Sequence, residues 1–403
     1  MNSLLVLVAL LVLSHLGGML SAQRASWGFG WASGIEFVIL GVVVGPLVLG
    51  FFRHDTIVGF EPLLVMVLGW LVATMGMQYG RFAGERVPGS VFCAGILIAV
   101  LTGLAVGGGV YSLCRMYLKF SNSTSVQLGL AIGAVSSGSA HQAVRWASRG
   151  VHKLNSTSQL LGGIGSADDL PPLIMLAVLG FVAHGPAQSN YPLWVLPLLG
   201  LGLGVVLGAT VAALLGPTLD RGSLWPVLLG AVLLVVGVSL RLDLPILTPV
   251  FLTGLTLSIL SPHRRIIRQL VTETERPLLV PALLLAGALV DLPKTRHEWL
   301  IVAVALVTRL SLQFLLGTTL PLFFRAHRGH GTRLGQALLS TGGASLAIGL
   351  AVFFRHPGVV GRVVLFVAVT ASLIGELFGG RALRKLVQAE ELDVQPGAPE
   401  VVL

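Results

Sequence analysis

The stretch Gly162-Gly163-Ile164-Gly165-Ser166-Ala167-Asp168-Asp169-Leu170-Pro171-Pro172 decides how the rest of the chain is read. Two adjacent carboxylates stand inside an otherwise apolar run from about Ser156 to Ala183. The run is long enough to cross a bilayer. Asp169 lies thirteen residues into it, close to the midplane at about 1.5 Å per residue. Charge at that depth costs from about 2.5 to more than 10 kcal/mol, so it marks an ion or proton path unless a buried base merely locks two helices through it. The first reading implies an ion-coupled transporter.

Composition fits that setting. Of 403 residues, 54% are hydrophobic and only 11% charged, with a mean hydropathy of +0.89. A soluble protein of this size needs far more surface charge. Long apolar runs separated by short basic loops imply membrane helices rather than a barrel. The 51 glycines suit close helix approach and interrupted spans. Cys93 and Cys114 lie in or at the end of one apolar run, which excludes a disulfide framework and a thiolate metal centre.

Thirteen spans are expected: 1–20, 33–52, 60–79, 88–113, 124–146, 156–183, 190–216, 223–241, 244–260, 277–292, 297–324, 332–354 and 358–381. The first lacks the basic start of a signal peptide and is read as a true span. Loops after odd-numbered spans, with the C-terminal tail, hold seventeen Lys and Arg, and the other loops eight. The positive-inside rule then puts the N-terminus outside and the C-terminus in the cytoplasm. It also explains the net charge of +9 without a nucleic-acid partner. Trp27, Trp31, Trp146, Trp194, Trp225 and Trp299 fall at span ends, as interfacial anchors do. The short tail after Lys385 leaves no soluble regulatory domain in the expected architecture.

Two spans are expected to be broken. The fifth carries Ser136-Ser137-Gly138-Ser139-Ala140 and the twelfth Ser340-Thr341-Gly342-Gly343-Ala344. Such residues are poor helix formers and free backbone groups for other partners. The copies lie seven spans apart, an odd offset, so they run through the membrane in opposite directions. Inverted-topology repeats produce that arrangement, and their breaks frame the binding site. Ordinary small-residue packing is the alternative.

One further charge stands deep in a span: Arg309, in the eleventh. Neighbouring helix positions differ by about 100°, so Asp168 and Asp169 cannot face the same way. Asp168 is expected to turn toward Arg309, and Asp169 toward a cavity beside both breaks. Oxygen ligands for a small hard cation would come from Asp169, the hydroxyls of Ser137, Ser139 and Thr341, and carbonyls freed around Gly138 and Gly342. A carboxylate that holds a proton or a cation, never both, forces exchange by competition alone. His141, one turn from the first break, is either a tuner of the pH response or hydrogen-bonded packing.

These residues resemble the bacterial cation/proton antiporters with the thirteen-span sodium/proton exchanger fold. The resemblance covers nearly the whole chain and includes Gly41-Val42-Val43-Val44-Gly45-Pro46, the two broken spans, Asp168-Asp169, and Arg309 where members carry a basic residue. It implies Asp169 as the ion- and proton-binding acid, with Asp168 paired to the base. It also implies a core transport domain in two repeats (88–183 and 297–387), a linking helix (190–216), a dimerisation domain (1–87 and 223–292), and a short cytoplasmic tail (388–403). Three departures stand out. Gly138-Ser139 or Ser139-Ala140 replaces the usual Thr-Ser, Leu170-Pro171-Pro172 replaces Val-Leu-Gly, and Arg309 cannot release a proton as lysine could.

The expected protein is an all-α polytopic homodimer of the bacterial inner membrane. It is a transporter, not an enzyme, exchanging Na⁺ or Li⁺ for H⁺ at Asp169 by alternating access, with no cofactor. K⁺/H⁺ exchange on the same scaffold is the nearest alternative. An intramembrane aspartyl protease needs two acids from different helices on one water, and Asp243 and Asp291 fall at span ends. A passive channel fits a permanent positive charge beside the acids less well than a carrier does.

Overall fold

The computed structural model describes residues 34–51, 59–82, 85–139, 141–147, 156–188, 195–215, 221–324 and 331–388. These form fifteen helices and one small hairpin. In chain order they are α1 (Ile35–Val44), α2 (Glu61–Gln78), β1 (Arg81–Phe82), β2 (Glu85–Arg86) and α3 (Gly89–Ser112), which ends in a π turn. Then come α4 (Asn122–Ser137), α5 (His141–Ala147), α6 (Ser156–Ala167), α7 (Leu170–Gln188), α8 (Val195–Leu214) and α9 (Arg221–Arg241). The last are α10 (Leu247–Leu260), α11 (Arg264–Ala288), α12 (Arg296–Phe323), α13 (Gly331–Leu338), α14 (Gly343–Arg355) and α15 (Val359–Gln388).

Seven stretches among the described residues are long and apolar enough to cross a membrane, and three shorter apolar helices accompany them. The chain is a multi-pass helical membrane protein. Each expected span from the second to the thirteenth meets at least one helix. The first span, Trp27, Trp31, Trp194 and the tail after residue 388 lie outside the described residues.

Boundaries differ where charge or proline misled the hydropathy reading. The tenth span was expected from 277, yet α11 starts at Arg264 and runs unbroken through Thr272-Glu273-Thr274-Glu275. Ile267 and Val271 keep the helical spacing through the charged run and are buried. The second span shortens to α1, because Pro46 has no N–H to continue the ladder. Residues 81–82 and 85–86, outside the expected spans, pair as the antiparallel strands β1 and β2.

Glycine sets the tightest helix contacts. A Cβ on Gly41 would overlap the Leu284 carbonyl, and one on Gly287 would overlap the Val38 carbonyl, so α1 and α11 touch backbone to backbone. Gly107 meets Gly129 between α3 and α4 in the same way, with a Cβ there only 2.7 Å from the Gly129 oxygen. Without a hydrophobic force between helices in lipid, this close van der Waals approach holds them together.

Candidate functional site

Asp168 and Asp169 do not lie in an uninterrupted helix. α6 ends at Ala167 and α7 begins at Leu170, with both acids in the turn between. The cause is local: Pro171 and Pro172 lack the N–H groups that would bond the carbonyls of Ala167 and Asp168. Prolines are tolerated in the first turn of a new helix, so α7 starts there. Other groups take up the carbonyls freed at the end of α6. Tyr79 donates its hydroxyl to the Ala167 oxygen at 3.4 Å, and the Gly80 N–H reaches the Ser166 oxygen at 3.3 Å. This third break was not expected, although Pro171-Pro172 announced it.

The first expected break is present. α4 ends at Ser137, and Gly138 is extended (φ −72°, ψ 145°). The turn of backbone aims the Ser139 N–H at Asp168, whose Oδ2 accepts it at 2.7 Å. One residue before the helix end, the Ser136 carbonyl accepts from Arg309 Nε at 3.2 Å and from Gln313 Nε2 at 3.4 Å. Arg309 and Gln313 are one turn apart on α12, so one helix face supplies both donors. They satisfy the negative end of the half-helix α4. Gln313 was not anticipated; its spacing of four from Arg309 was the available signal.

The second break runs from Leu339 to Gly342, where extended backbone (φ −90°, ψ 171°) starts α14. Ser340 donates its hydroxyl to Glu376 at 3.1 Å. The two breaks meet: a Cβ on Gly138 would lie 3.3 Å from Ser345 Oγ.

Asp169 faces a narrow cavity lined also by Ser139, His141, Gly342, Ala344, Thr74, Gln78, Arg145 and Glu275. Its free volume of about 10 Å³ admits one water-sized species. Arg145 donates to Glu275 and to Gln78, tying α5 to α11 and α2. Among the described residues no basic side chain forms an ion pair with Asp169. Asp168 and Arg309 sit behind this cavity and are fully enclosed. They make no direct hydrogen bond, and Asp168 Oδ1 and both Arg309 Nη atoms are buried without hydrogen-bond partners. Both residues instead hold the first break, from opposite sides.

Of the expected ligands, Ser139 and Gly342 line the cavity with Asp169. Ser137 does not; its hydroxyl bonds the Ala134 carbonyl at 2.9 Å, and its Cβ lies toward Gly103 of α3. Gly138 and Thr341 are also outside the lining. The hydroxyls of Thr341 and Ser345 are buried without hydrogen-bond partners. His141 has Nδ1 at 3.2 Å from the Gly162 carbonyl and lies edge-on to Phe82.

A larger vestibule of about 450 Å³ lies farther along α2 and α14, lined by Glu61, Asp243, Arg355 and His356 among apolar residues. Leu68, Leu71, Leu279, Leu283, Leu346 and Leu350 pack between the two spaces. Along α2 the order is Glu61 at the vestibule, Leu68 and Leu71 in the apolar layer, and Thr74 and Gln78 at the acid.

No family model and no curated protein matches this sequence. Solved structures do. A structure of the sodium proton antiporter MjNhaP1 from Methanocaldococcus jannaschii at pH 8 is similar with a TM-score of 0.66 at 14% identity, covering 96% of this chain and all of that one. An electron-microscopy structure of the same antiporter gives a TM-score of 0.68 at 14% identity over 98% of this chain and all of that one. Over nearly its whole length, the chain therefore has the fold of a sodium/proton antiporter.

Proposed function

We propose that the protein is a secondary antiporter that exchanges Na⁺ or Li⁺ for H⁺ at Asp169. The observation that carries this reading is the position of Asp169 in a cavity shared with both helix breaks, with no basic ion-pair partner among the described residues. Ser139 and Gly342 add oxygen atoms from the two breaks, the ligand chemistry of a small hard cation. Cation and proton compete for one carboxylate, so a site that reorients only when filled exchanges one for the other. The apolar layer between cavity and vestibule supports alternating access, since it separates the acid from that side. K⁺/H⁺ exchange on the same scaffold is the nearest competing reading.

In this reading α3–α7 and α12–α15 form two inverted repeats of a moving core, α1–α2 and α9–α11 belong to a dimerisation domain, and α8 links them. The protein works as a homodimer in a bacterial inner membrane, with its N-terminus outside and its C-terminus in the cytoplasm.

The test is proton movement in everted vesicles on addition of NaCl, LiCl or KCl, with and without Asp169→Asn. Na⁺ and Li⁺ should evoke proton movement that the substitution abolishes. Movement that survives Asp169→Asn overturns the assignment.

A further inference from the structure

We propose that Arg145 makes the Asp169 cavity selective for monovalent cations by holding Glu275 out of the ligand set. The inference rests on the exchange reading above and names a specificity device within it.

Charge counting leads to it. The charged side chains lining the cavity among the described residues are Asp169, Glu275 and Arg145. Two carboxylates and one guanidinium leave a single negative charge, which one Na⁺, Li⁺ or H⁺ neutralises. Glu275 is 1% exposed, and its only charged partner in the cavity is Arg145, with Nη2 on Oε2. The guanidinium is fixed from a second direction, because Nη1 donates to Gln78 Oε1. A planar fork held at two points is a rigid counter-ion. Without it, Asp169 and Glu275 would face one small space from different helices, together with Ser139. Two carboxylates with neighbouring oxygens are ligands for a hard divalent cation. The charge on Arg145 therefore decides between valences, while the oxygens near Asp169 stay the same.

The device also works in reverse. If Glu275 loses its charge, Arg145 keeps its own and has Asp169 within the same cavity. The guanidinium then becomes a tethered competitor for the transported cation.

The experiment uses the full-length protein in liposomes, with Na⁺-evoked proton movement followed at increasing CaCl₂ or MnCl₂. Binding of Ca²⁺ to the purified protein is measured by calorimetry. Arg145→Gln should lower the Ca²⁺ concentration that inhibits exchange by about tenfold or more and create a calorimetric Ca²⁺ signal absent from the parent protein. Arg145→Gln/Glu275→Gln should lose both effects. Arg145→Gln with the Ca²⁺ response of the parent, or a response that persists in the double variant, overturns the proposal. Should Arg145→Gln not fold, Glu275→Gln decides. It should weaken apparent Na⁺ affinity by about tenfold, and unchanged affinity overturns the proposal. A parent protein with no cation-evoked proton movement would instead refute the exchange reading, and calorimetry separates the two failures.

Discussion

Asp168 accepts the backbone N–H of Ser139 at 2.7 Å, so a carboxylate from the α6–α7 turn is stitched into the break between α4 and α5. The other side of that break is held by Arg309, whose Nε donates to the Ser136 carbonyl. The break is thus held by an acid and a base that make no direct hydrogen bond to each other. Asp168 and Arg309 both contact the break, while Asp169 lines the cavity.

A double-mutant cycle measures whether the two grips cooperate. Arg309→Met leaves Asp168 a buried charge without its compensating cation and should destabilise by about 3–5 kcal/mol. Asp168→Asn keeps an oxygen for the Ser139 N–H but leaves the buried Arg309 guanidinium without its compensating anion, and should also destabilise by about 3–5 kcal/mol. The double variant should be clearly more stable than the sum of the two losses, because neither charge is then left alone. Thermal unfolding in detergent is the measurement. Strict additivity would show that the charges act independently across the break.

In the proposed exchange, competition at Asp169 sets a pH dependence whose sign is fixed. Lowering the pH raises proton occupancy, so more cation is needed to fill the site. Where the proton dominates, apparent cation affinity should fall about tenfold per pH unit, while the maximal rate at saturating cation stays nearly constant. Initial rates at several cation concentrations between pH 6 and pH 9 test this. A falling maximal rate with constant apparent affinity contradicts a shared site.

How far this was legible in the sequence depends on the kind of signal. Asp168, Asp169 and Arg309 stood out because charge is rare deep in a span, and the breaks because Ser and Gly cluster there. Glu275 was missed for the opposite reason. It lies in the charged run Thr272-Glu273-Thr274-Glu275-Arg276, which a hydropathy window assigns to a loop, while the backbone continues as helix. Arg145 falls at the very end of the fifth span (124–146), where a basic residue is ordinary, yet it lines the cavity. Gln313 is polar without charge, and only its partner identifies it. Hydropathy locates the membrane, and cannot tell which charged residues near a span end turn inward.

Glycine packing gives a stability test with an internal control. Gly41→Ala forces a methyl into the Leu284 carbonyl of α11, whereas Gly230→Ala in α9 meets nothing within 4 Å. Overpacking against backbone costs about 1–3 kcal/mol, while alanine in an open helix position gains up to about 1 kcal/mol over glycine. Folded yield and melting temperature should fall for Gly41→Ala and hold or rise for Gly230→Ala. Equal behaviour would contradict backbone contact between α1 and α11.

Pro171 offers the sharpest test of the unexpected break. Its ring removes the N–H that would bond the Ala167 carbonyl, which Tyr79 takes up instead. Pro171→Ala restores a donor at this position, and the turn can close toward continuous helix. Closing it shifts Asp169 relative to the two breaks, because Asp168 beside it is anchored to the Ser139 N–H. The carboxylate then leaves the line of sight to Ser139 and Gly342, although every side chain assigned to the cavity remains. The expected outcome is therefore a split: melting temperature held or raised, cation-evoked proton movement reduced by about tenfold or more. Tyr79→Phe removes only the weak hydroxyl contact and should leave exchange close to that of the parent protein. Normal exchange in Pro171→Ala would mean that the position of Asp169 is set by its neighbours in space rather than by the break in its own span.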